Sequence, residues 1–143
     1  MKKLISVLTM IFVFGAVVGL HAVSQEHSGR LIKLSGKLEK KFSYGAPNYG
    51  ETPEQDAKEY YYVLVFDSDK KVDVDGENVT VKEIQLIFST TLNTRIQNKK
   101  LKIKEGKNYT VKGTVFRAQT GHHHTDYVFY VEECFLENQK TII

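Results

Sequence analysis

The sequence predicts a mainly β chain, folded as a small barrel of five to six strands with one short helix. Three observations predict it. Apolar and polar residues alternate along Ile32–Leu38, Lys71–Asp75 and Tyr109–Val115, the mark of strands with one buried face. Two β-branched and aromatic runs, Glu59–Phe66 and Tyr127–Val131, are flanked by turn residues. The one stretch with helical spacing, Ser89–Lys99, falls between the third and fourth strands. That placement favours a five-stranded OB-type barrel, with an SH3-like barrel or open sandwich as the alternative.

The chain has 143 residues, 41% of them hydrophobic, enough for one core and no more. Met1-Lys-Lys is a positive start, Leu4–Leu20 is apolar, and Ala22-Val23-Ser24 offers small residues for cleavage. Residues 1–24 therefore read as a signal peptide and 25–143 as the mature domain. An uncleaved anchor is the alternative, since the apolar run is at the short limit for a span. Cleavage implies a periplasmic or secreted protein with no membrane attachment. Removing Lys2 and Lys3 lowers Lys+Arg from 20 to 18 against 17 acids, a charge of about +1. That balance gives no general field for nucleic acid, and no nucleic-acid partner is expected. The local clusters Lys37–Lys41 and Lys99–Lys104 read as solvated faces. The single Cys134 lies in an apolar strand and reads as a buried, inert thiol.

The elements follow in order. Ile32, Leu34, Gly36 and Leu38 share one strand face, and Gly36 marks a bend of the kind a closing barrel needs. Phe42–Lys58 holds Gly, Pro and three aromatics and reads as a long loop. Tyr60–Phe66, apolar on both faces, reads as a central strand. Asp67–Lys71 reads as a turn, and its acids do not have the spacing of a calcium-binding loop. Val79–Phe88 makes the next strand, with a break near Lys82-Glu83 where its phase shifts. Leu92 and Ile96 are four apart in the helix, which Ser89 or Thr90 would cap. Lys100–Lys104 alternates again. Glu137–Ile143 reads as a loose end with its isoleucines docked.

The last hairpin, Tyr109–Leu136, carries three consecutive histidines at its turn, in Gly121-His-His-His-Thr-Asp126. That motif, with Gly113-Thr-Val-Phe116, and the segment Gly45-Ala-Pro-Asn-Tyr-Gly-Glu-Thr-Pro53 resemble a bacterial family of exported domains of unknown function, the family numbered 4431. The resemblance covers most of the mature chain. It implies an exported bacterial domain and carries over no catalytic role.

In an extended segment, residues two apart share a face with Cα atoms about 6.6 Å apart. His122, His124 and Asp126 are thus the candidate ligands for a transition metal such as zinc, copper or nickel, with His123 as alternate. Neighbouring imidazoles also allow a pH-sensitive tip, and hydrogen bonds from a histidine and Thr125 allow a purely structural turn. The functional expectation is a non-enzymatic binding module. Its recognition residues are Tyr44 and Tyr49 of the long loop, with His122, His123, His124 and Asp126 of the turn. Its ligand is a small molecule, a glycan or a protein. Metal binding is the alternative, and a hydrolytic enzyme stands behind both, since no serine–histidine–acid set can be named from spacing.

Overall fold

The computed structural model describes residues 29–137. It contains β1 (Ile32–Tyr44), β2 (Lys58–Val74), β3 (Glu77–Phe88), α1 (Thr90–Gln97), β4 (Asn108–Arg117) and β5 (Tyr127–Leu136). The strands close a barrel in the order β1-β2-β3-β5-β4. Every pairing is antiparallel except β3 with β5, which is parallel. With α1 between the third and fourth strands, this is the OB-type barrel that the sequence predicts. The leader and residues 138–143 of the predicted tail lie outside the described residues.

β1 belongs to both sides of the closure. Ile32–Lys37 pairs with β4, and Lys37–Tyr44 pairs with β2. The bend falls at Gly36, where a β-carbon would stand 2.6 Å from the Val65 carbonyl oxygen and 3.0 Å from Leu64 Cγ. Only glycine lets the two backbones approach this closely.

Three boundaries differ from expectation. β1 continues through Phe42 and Tyr44, so the loop is 45–57; pairing of Tyr44 with Lys58 holds those aromatics in the sheet. β2 does not turn at Asp67–Lys71. It continues to Val74, because pairing with β3 resumes at Lys70–Val81 after a register shift that begins at Val65. The extra residues of that shift sit on β2, opposite Lys82, where the phase break was expected on β3. The chain reverses instead at Asp75 and Gly76, whose φ values are 54° and 85°. Such a pair suits a two-residue hairpin turn. Finally, 101–104 is not a strand. Leu101 is buried and Lys102 exposed, as in a strand, but the amides bond elsewhere: Leu101 N to Arg95 O at 3.0 Å and Lys104 N to the Tyr109 hydroxyl at 2.9 Å.

α1 forms where its spacing places it. Ser89 caps it, its Oγ accepting from Leu92 N at 3.3 Å. Leu92, buried, joins the barrel core with Leu101. The centre of that core is Leu38, Leu64, Ile84, Tyr109, Val111 and Phe129, each no more than 1% exposed. Each such side chain contributes about 1.5–3 kcal/mol by leaving water.

β2 is the central strand expected, with a partner on either side. Val63 is 0% exposed although it points away from the core. The Lys41–Glu83 ion pair, 2.5 Å long, joins β1 to β3 across this stretch of β2. Val63→Asp would bury an unpaired carboxylate between Glu39 and Gln85, its neighbours across the sheet. The expected result is loss of the cooperative thermal transition in circular dichroism. A melt near the wild-type temperature would refute the burial of this position.

Candidate functional site

β4 and β5 meet at the pair Arg117–Tyr127, leaving 118–126 as the connecting loop. Ala118 N donates to Asp126 O at 2.9 Å and closes its base. Within it, Thr120 and Gly121 make the expected turn. His123 N donates to Thr120 O at 3.0 Å, and His122 N to Thr120 Oγ1 at 3.3 Å.

The three imidazoles divide by position. His123 Nδ1 accepts from Gln119 N at 2.8 Å and from Thr120 N at 3.4 Å. Its ring lies edge-on to Phe116, with centroids 5.5 Å apart. An accepting Nδ1 puts the proton of the neutral ring on Nε2. His123 therefore shapes the turn. His122 and His124, two apart in the loop, both reach the same carboxylate.

What lies between them is Glu59, the second residue of β2. One carboxylate oxygen meets His122 Nδ1 at 2.8 Å and the other meets His124 Nε2 at 3.2 Å. An ionised carboxylate only accepts, so each ring donates to it. Gly45 fixes its place from below, because a β-carbon there would overlap the Glu59 side chain. Tyr61, two residues along the same strand, stacks on His124 with centroids 4.3 Å apart and 27° between planes. His124 is thus sheltered, its side chain 12% exposed, while that of His122 is 68% exposed.

Gln85 of β3 holds the loop backbone. It is 5% exposed. Its Nε2 donates to His122 O at 3.0 Å and its Oε1 accepts from His124 N at 2.6 Å. Thr125 completes the anchor, accepting from Gln85 N at 3.0 Å and donating to Tyr127 O at 2.6 Å. The 118–126 loop is therefore tied to the sheet through the side chain and backbone of Gln85, some forty residues away in sequence.

The second loop reaches the same place. Asp56, 8% exposed, accepts from the backbone of Asn48 at 2.7 Å and of Gly50 at 2.7 Å. These bonds flank Tyr49, which sits at φ 53° with its side chain largely in solvent. The Tyr49 ring lies over Gly121, where a β-carbon would stand 3.0 Å from its hydroxyl. The loops at 45–57 and 118–126 are one surface. An open cleft of about 350 Å³ beside the histidine turn is lined by Glu59, Tyr60, Tyr61, Gln85, Ile87 and the three imidazoles.

Not every expected residue belongs here. Tyr44 is on β1 with its ring edge-on to Phe42, 4.9 Å away, on the other face of the β1–β2 ribbon. Asp126 lies in an adjoining depression with Thr80, Lys82 and His124 and makes no ion pair with either imidazole. The metal set of His122, His124 and Asp126 is thus not assembled. The carboxylate two residues past His124 falls at the base of β5, and Glu59 stands between the rings instead. Among the described residues no group of three or more His, Cys, Asp or Glu side chains is placed to hold a metal ion.

Glu59, Tyr61 and Gln85 are the residues that the sequence reading misses. Two carried a signal. Glu59 is the one charge opening an apolar run, and Gln85 is a lone carboxamide among Ile84, Leu86 and Ile87.

Residues 83–134 match a family described as Domain of unknown function, DUF4431. Over this part the chain is similar to the DUF4431 family. The match takes in Gln85, β4, β5 as far as Cys134 and the whole histidine turn. The Gly45–Pro53 segment, where the resemblance was also read, lies outside the matched residues. No curated protein matches the chain.

Cys134 is buried and faces the core, as expected. Burial pushes its thiol up to about 11 from an ordinary 9.0. The folded state therefore keeps the proton longer than the unfolded one. The thiol's contribution is fully present below pH 9 and is lost as pH rises from 9 to about 11. At pH 8 a disulfide reagent should label the native protein far more slowly than the protein in denaturant; equal rates would place the thiol at the surface.

Gln85→Leu should leave His122 O and His124 N without partners while keeping the side chain's bulk. The expected cost is about 1–3 kcal/mol. Hydrogen exchange should quicken at His124 N before it does in the barrel strands. An unchanged exchange rate at His124 would show that Gln85 does not anchor the turn.

Proposed function

We propose that this protein is an exported, non-enzymatic binding module that holds a hydroxyl-rich small molecule or glycan end in the cleft between Glu59 and the histidine turn, with Tyr49 close by on Gly121. The observation that carries this reading is the seating of Tyr49 on Gly121, which joins two loops distant in sequence into one surface over Glu59 and His122. Ligand sites combine an apolar wall with a few fixed polar groups. Here Tyr61 and Ile87 supply the wall. Glu59 supplies acceptors and the exposed His122 ring supplies its remaining nitrogen. Tyr49, 54% exposed, offers a ring that stacks on a sugar face at little entropic cost.

A second reading has its own observation. A carboxylate bonded to one imidazole nitrogen orients the ring and leaves the other nitrogen to move a proton, as in general acid–base catalysis. Glu59 and His122 have that relation. The metal reading is weaker, since both imidazoles already spend a nitrogen on Glu59 and Asp126 stands apart.

Screening a panel of mono- and oligosaccharides by protein-observed NMR separates these readings. Binding should shift Tyr49, Tyr61 and His122 first. Tyr49→Ala and His122→Ala should each weaken it by about tenfold or more, a loss near that of one good polar or stacking contact, with the melting temperature almost unmoved. A ligand consumed during the titration, with turnover abolished in His122→Ala, would favour the catalytic reading. Shifts confined to other surfaces would refute both.

A further inference from the structure

β2 enters the sheet with alternating allegiance. Glu59 and Tyr61 face the histidine cleft; Tyr60 borders it too, but strand alternation turns the Tyr60 and Tyr62 rings toward the other side of the β1–β2 ribbon. There they meet β1 residues of the same parity, Lys40 opposite Tyr62 and Phe42 opposite Tyr60. The Phe42 and Tyr60 ring centroids are 5.4 Å apart, and Lys40 Nζ lies 5.0 Å over the Tyr60 ring. Phe42 and Tyr60 are 42% and 63% exposed, two of the few large hydrophobic residues left in water.

This track opens into a cleft of about 420 Å³ between Tyr62 and the end of α1. Its floor is Tyr62, Ile96, Leu101 and Ile103, and its rim is Lys99, Lys102 and Lys104. No carboxylate lines it. The neighbouring Glu105 accepts from Lys40 N at 3.4 Å. Lys37, Lys41 and Lys112 each hold a glutamate. Among the described residues, no such ion pair involves Lys40, Lys99, Lys102 or Lys104. The cluster that reads in sequence as a solvated face is therefore an unpaired positive rim on an apolar trough.

We propose that this second cleft binds a free single-chain anionic amphiphile, its acyl chain along the trough and its head group among the lysines. The charge of the rim selects an anion, and lysine stems can cover apolar chain while the ammonium groups stay wet. The floor selects the tail. It is aliphatic apart from Tyr62, whereas nucleotide bases stack on aromatic faces. It offers one hydroxyl and no carboxamide, too few partners for the hydroxyls of a glycan. At about 420 Å³ the cleft has room for a single acyl chain.

The test is calorimetry of the purified protein with dodecanoate below its micelle concentration. Saturable binding at one site is expected. Lys99→Glu/Lys102→Glu should weaken it by about tenfold or more, as expected for losing charge-assisted contacts; Lys99→Gln/Lys102→Gln serves if the reversed charges unfold the chain. Ile103→Asn should weaken binding of dodecanoate and of neutral dodecyl maltoside alike, whereas the lysine variants should spare the maltoside. Absence of saturable heat with dodecanoate overturns the proposal, as does undiminished binding by both lysine variants. So does binding to phosphatidylglycerol vesicles or to an oligothymidine with none to dodecanoate.

Discussion

The candidate site depends on the parallel seam between β3 and β5. Four residue pairs, Gln85–Val128 to Phe88–Val131, turn an open meander into a barrel. Parallel neighbours need a long crossover, and here that crossover is α1, the 98–107 connection and β4. The seam has a second effect. It sets the start of β5 beside Gln85, so the loop before β5 must pass over that carboxamide. Barrel closure and placement of the histidine turn are one event.

Much of the fold was legible because each strand shows a different face to a different medium. Ile32, Leu34 and Leu38 alternate with exposed residues, and Gly36 marks the corner where β1 changes partner. The helix was legible from Leu92, Ile96 and Ser89. The errors have one cause. Lys70–Lys71 and Phe42–Tyr44 have turn or loop chemistry, but pairing with neighbours holds them in strands, and Asp67–Asp69 fall in the bulge between two paired stretches; local propensity cannot see a partner strand.

The site was legible only in part, for the same reason. The turn itself, with His122 and His124 on one side, follows from strand period. Its partners do not. Glu59 and Gln85 lie dozens of residues upstream, and nothing in local spacing sets them under the turn. Asp126 was chosen because it is two residues past His124. The chain bends at Thr125, whose hydroxyl bonds Gln85 N and Tyr127 O. That bend ends the extended geometry on which the choice rested. Tyr44 was misplaced once β1 proved longer than its loop chemistry implies, whereas Tyr49, beyond the strand end, reaches the turn.

Energetics bear on whether the histidine cleft is only a structural corner. A corner would be expected to gain stability from its contacts. Gln85, Thr125 and His123 satisfy that expectation, since each bonds backbone that would otherwise lack a partner. The contact of Glu59 with His122 does not. The His122 ring is mostly in solvent, and ion pairs so exposed contribute about 0–1 kcal/mol. Tyr49 is similar, since Asp56 fixes its backbone in a left-handed conformation while more than half of the residue stays wet. Folding alone gives little reason for a strained, half-exposed tyrosine to sit on Gly121 beside a weakly paired imidazole. Recognition gives one. On the proposed binding role, the well-bonded part of the loop would hold still while the groups above it keep their polar atoms and ring faces for a partner.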